Sequence, residues 1–157
     1  MGRAREGAAW TYRILITLFT AAVIVEIFLA GLAIFRAMPS EEGSVSHETI
    51  ENKFDAHAAL GDVLGGGAIL LLIVILIAWT GRRVIGATFA LAVLTFVQGF
   101  LAATGEDSPV AGAFHAVNAL LVLALSLFLT WEAWRGKLGA TGVPRRGNLA
   151  RTEVPQR

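Results

Sequence analysis

The stretch "VAGAFHAVNALLVLALSLFLTWEAW", residues 110–134, decides the fold. His115 and Glu132 are its only ionisable side chains. A helix of about 20 such residues crosses a bilayer, and lipid admits only helices and closed barrels. Yet this run opens with His115 and, three residues on, Asn118. That spacing puts both on one helix face. Polar groups in hydrocarbon are expensive, so the pair needs a reason.

Three more apolar runs precede it, at about 12–37, 54–79 and 84–104. The expectation is an all-α integral membrane protein, a four-helix bundle running up-down-up-down over residues 1–137. The first run follows Arg3, Arg5 and Arg13, as in a signal peptide, but its length and Glu26 argue against cleavage. Residues 138–157 form a basic tail that is polar, contains Gly and Pro, and is expected to be disordered. It reads first as a determinant of topology and second as a binder of anionic lipid. Composition agrees with a membrane protein: 55% hydrophobic and 16% charged, with a mean hydropathy of +0.66. A net charge of +1 gives a nucleic-acid role no electrostatic support. With no cysteine, disulfides, iron–sulfur clusters, thiolate-held metal and a cysteine nucleophile are excluded.

The connections predict orientation. Arg82 and Arg83 join the second and third runs, and basic residues flank the first and last. The segments 38–53 and 105–109 are acidic, with Glu41, Glu42, Glu48, Glu51, Glu106 and Asp107. The positive-inside rule therefore puts both termini in the cytoplasm and the acidic segments outside. Trp10, Tyr12, Trp79, Trp131 and Trp134 all fall at the basic ends, as an interfacial belt does.

The chain also repeats itself. "VEIFLAG" (25–31) matches "VQGFLAA" (97–103), and "HAALGDVL" (57–64) matches "HAVNALLVL" (115–123). Two helical hairpins thus follow one another, each offering Glu26 or Gln98 and then His57 or His115. The second and fourth helices run the same way, so the two histidines lie at equal depth near the outer face. In an up-down-up-down bundle those helices are diagonal, about 12–14 Å apart. Two imidazoles facing across that gap can hold one iron. Small residues beside them, Gly61, Gly65 and Gly112, leave room for a flat macrocycle, although Gly61 and Gly65 also make the GxxxG spacing of simple helix packing. Zinc or copper would need further ligands, and Asp55 and Asp62, near His57 in sequence, are each expected to point away from its face; haem brings four nitrogens of its own. His47, in the acidic segment, reads as a solvated side chain.

The segments "FLAGL" (28–32), "FDAHAALG" (54–61) and "HAVNALL" (115–121) resemble those of small bacterial four-helix membrane proteins. More distantly, residues 12–134 resemble one half of haem A synthase, which has two such bundles. The resemblance implies a multi-pass protein of the bacterial plasma membrane holding haem b through His57 and His115. Two departures weigh against oxidation of a haem methyl group. The catalytic half of haem A synthase has a glutamate three residues before the second-helix histidine, where this chain has Phe54. Glu26 stands where a glutamine is expected.

Bis-histidine iron has no open position, so electron transfer or haem binding is expected rather than catalysis. A quinone, a redox protein or a larger membrane complex is the expected partner. Each ring is expected to coordinate through Nε2 with Nδ1 on a backbone carbonyl one turn back. Asn118 is expected to tie the fourth helix in register, and Glu26 to face the interior near Gln98. Arg36 and Lys53 are the nearest cations for haem propionates. Two other classes stay open. Glu26, Asp62, Gln98, His57, His115 and Asn118 could line a proton or solute path, or the chain could be an accessory subunit with a polar core that sets register.

Overall fold

The computed structural model describes residues 2–37, 47–105 and 107–135. The basic tail and most of the acidic segment lie outside the described residues. Four helices follow in order: α1 (Gly2–Ala37), α2 (His47–Ala78), α3 (Arg82–Gly105) and α4 (Pro109–Trp134). Among the described residues there is no strand. All four helices are long and apolar enough to cross a membrane. The architecture is the expected four-helix membrane bundle.

Two helices begin earlier than their apolar runs. α1 starts at Gly2, and α2 starts at His47, which is therefore helical rather than part of a loop. Hydropathy marks where lipid begins, whereas a helix continues until a breaker or cap stops it. The breakers are where they should be. Ser108 caps α4 from an extended conformation, its Oγ accepting from the Ala111 amide at 3.4 Å, and Pro109 follows in the first turn. Between α2 and α3 the chain reverses through Gly81, whose φ of 138° suits only glycine.

Helix α1 packs most closely on α2, and α3 on α4, so the two repeat hairpins are real packing units. α2 also meets α3, and α1 meets α4; α1/α3 and α2/α4 are the diagonals. The bundle is filled unevenly. The largest fully buried apolar side chains, Tyr12, Ile16, Leu71, Ile75, Leu91 and Leu129, all belong to the arginine-rich half. There Tyr12 Oη and Thr88 Oγ1 share a 2.6 Å hydrogen bond across the α1/α3 diagonal. Thr20 and Thr130 share another of 2.9 Å between α1 and α4. At the same end guanidinium groups lie over rings, Arg13 on Trp10, Arg83 on Phe128 and Arg135 on Trp131. Trp10 meets Trp134 edge to face, and Trp134 Nε1 donates to Thr17 Oγ1 at 3.0 Å.

This uneven filling predicts where substitutions hurt. Leu91→Ala, at a site with no exposure, should cost about 2–5 kcal/mol. Tyr12→Phe should cost about 0.6–1.7 kcal/mol, the range for interhelical hydrogen bonds in lipid. Phe28→Ala, on a side chain 65% exposed, should stay within about 0.5 kcal/mol. Reversible unfolding in mixed micelles measures all three.

Candidate functional site: a cavity between two histidines

The half of the bundle away from the arginine-rich end is hollow. A cavity of about 1020 Å³ is lined by all four helices, at the upper end of the roughly 300–1,000 Å³ typical of small-molecule sites. His57 projects into it from α2 and His115 from α4, with ring centres 6.1 Å apart and planes at 74°. The expected pair of residues on the diagonal helices does meet.

Each ring is held by its own hairpin. His115 Nδ1 lies 3.1 Å from the Gln98 carbonyl oxygen on α3. A carbonyl only accepts, so Nδ1 carries the hydrogen and the Nε2 lone pair is left for another partner. Gln98 Nε2 in turn donates to the His115 carbonyl at 3.0 Å. His57 Nδ1 lies 2.9 Å from Glu26 Oε1 on α1, a close polar contact that does not run along the ring N–H direction. The partners therefore differ from the expected carbonyls one turn back. The Gln98 carbonyl is engaged inside its helix as well, so what differs is direction: a neighbouring helix presents its acceptor to the ring from the side. The repeat equivalence of Glu26 and Gln98 holds in space: each touches the histidine of its own hairpin.

Glu26 faces the interior as expected, but its contact is His57 rather than Gln98, which sits on the diagonal helix. Its Oε2 is buried without a hydrogen-bond partner. Asn118 donates to the Leu94 carbonyl at 2.9 Å and to Gln98 Oε1 at 2.6 Å, fixing α4 on α3. It is 6% exposed and does not line the cavity, so its part is positional.

The glycines divide. Gly61 makes room for Glu26, whose Oε1 a Cβ would meet at 3.3 Å; a Cβ on Gly65 would meet nothing within 4 Å. Gly112 lines the cavity, but it also serves close packing, since a Cβ on Gly105 would come 3.2 Å from Gly112 Cα. Arg36 is exposed at the end of α1 and does not line the cavity. The Lys53 side chain lies outside the described residues. Asp62, expected to point away, stands on the cavity's edge, exposed.

Sequence reading had not assigned Phe54 to the site, yet its ring packs edge to face on His57 at 6.1 Å. Its place one turn before the histidine was the available signal. Among the described residues no group of three or more His, Cys, Asp or Glu is placed to hold a metal ion.

The profile of a family of unknown function, DUF6220, matches residues 26–105, just over half of the chain. The chain belongs to that family. The matched stretch runs from Glu26 through the end of α3, so it takes in Glu26, His57 and Gln98, while His115 lies beyond it. No curated protein and no solved structure matches the chain.

The two kinds of glycine yield a contrast. Gly105→Ala must push backbone against backbone and should cost about 1–3 kcal/mol. Gly65→Ala enters open space and should be neutral, or stabilising by up to about 1 kcal/mol through helix propensity. Thermal unfolding of both variants in one detergent decides it.

Proposed function

We propose that the protein is a membrane haem b protein in which His57 and His115 ligate one iron through Nε2. The carrying observation is the pair itself: two rings from diagonal helices across one cavity, 6.1 Å between centres, each with Nδ1 against a neighbouring helix. Two imidazoles bonded at about 2 Å to one metal between them have ring centres on the order of 6 Å apart. The donor set suits a group that supplies its remaining ligands. Haem, when bound, supplies a one-electron iron couple. The chain's residues hold and orient it: Gln98 and Glu26 set the two rings, Asn118 holds α4 against α3, and Gly65 leaves space beside His57. Held by both His57 and His115, haem would have no place for a substrate at the iron and would supply electron transfer or simply be bound, with a quinone, a redox protein or a larger complex as partner.

The test is the reduced-minus-oxidised spectrum of purified protein at matched expression. His57→Ala and His115→Ala should each lose most of the pigment, and His47→Ala should keep it. A colourless wild type after haem supplementation, or full haem in both ligand variants, overturns the reading. One observation favours a second reading in that event. Glu26, His57, His115, Gln98 and Asn118 form a row of polar groups through the outer half, with 6.1 Å between the two ring centres, as a proton path would use.

The bundle lies in a bacterial plasma membrane with its arginine-rich end cytoplasmic. Since the chain has no cysteine, one introduced at Asp107 should react with an impermeant maleimide from outside in intact cells. Reaction only after permeabilisation reverses the orientation.

A further inference from the structure

The cavity has a side opening. Apart from Ile27, every exposed residue that lines it stands on α2 or α3. These positions run from Ala58 to Ile69 on α2 and from Phe96 to Ala103 on α3. They form a slot along the α2–α3 seam, about 16 Å long at helical rise. Both edges lie inside the apolar spans 54–78 and 82–105, so the slot faces lipid, not water.

The slot is kept open by what its edges lack. Gly66 and Gly99 line it, and a Cβ on either would meet nothing within 4 Å. Glycines that serve close helix packing behave otherwise, as Gly105 does against Gly112. The packing explanation of small residues in membrane helices therefore does not cover Gly66 and Gly99. At the outer end, by contrast, Phe54 packs on His57 and the Gly105–Gly112 approach closes α3 on α4. Among the described residues, the lateral side is where the lining is exposed.

We infer that the cavity is loaded sideways from the bilayer, with Gly66 and Gly99 holding the passage open for a flat, largely apolar ligand. This rests on the haem reading above, since it assigns the path by which haem reaches His57 and His115. A ligand that partitions into lipid arrives at the slot already desolvated and passes between α2 and α3 without crossing the polar outer surface.

The experiment measures loading rather than activity. Protein in phosphatidylcholine vesicles is mixed with haemin carried in donor vesicles of the same lipid, and the growth of the bis-histidine spectrum is followed. The Gly66→Leu/Gly99→Leu double variant should load at least about tenfold more slowly than wild type and reach the same final spectrum and haem content, as narrowing a gate without altering the site does. Ala102→Phe, at an exposed edge position, should also slow loading, so the result does not hang on one fold-sensitive pair. Wild-type rates in both variants overturn the lateral path and leave the haem reading standing. A lowered final haem content at unchanged rate also overturns it, because the added side chains then fill the cavity instead of gating it. A wild type that never develops the spectrum overturns the haem reading and the lateral path together.

Discussion

A primary amide inside a bilayer has two donors and an acceptor to satisfy and no water to do it with. Gln98 engages one of its donors and its acceptor with α4 alone. Its Nε2 donates to the His115 carbonyl, its Oε1 accepts from Asn118, and its own carbonyl takes the His115 Nδ1 hydrogen. Three bonds within one turn lock the height and rotation of α4 against α3. The rotation of His115 follows from this, and with it the direction of Nε2 into the cavity. Apolar packing could not do the same, because lipid tails and leucine side chains attract a helix face about equally well. In the first hairpin the Glu26–His57 contact occupies the corresponding place with a carboxylate instead of an amide.

The division of labour along the bundle is equally plain. The arginine-rich half is solid, held by Tyr12–Thr88 across one diagonal and Thr20–Thr130 between α1 and α4. The histidine half is hollow. A cavity of this size in a bundle costs contacts that its lining atoms could otherwise make. The solid half supplies the stability that the hollow half lacks, which places the site at the less constrained end of the molecule.

Much of the fold was legible because each run is too long and too apolar for anything but a membrane helix. His57, His115, Glu26 and Gln98 stood out because polar residues at repeat-equivalent places in apolar helices are conspicuous. The partners of the two rings were not legible. A helix that is apolar on both its lipid face and its core face carries no amphipathic stripe to set its rotation, so sequence spacing could not say that Glu26 turns to His57. For the same reason Asp62 was expected to point away from the site, and the slot beside it left no trace in hydropathy. The start of α2 at His47 was missed because polar residues can extend a helix beyond the lipid.

The ends of the bundle are joined in a way that bears on how such proteins grow. Trp134 donates to Thr17 and meets Trp10 edge to face, so the first helix and the last leave the membrane side by side on one face. The two hairpins are themselves joined on that face, through the tight turn at Gly81. Any further copy added in tandem can reuse this geometry: the linker only has to run along a single membrane surface, and no helix has to reverse its insertion. A unit with this closure can therefore be doubled by duplication without disturbing the topology of either half.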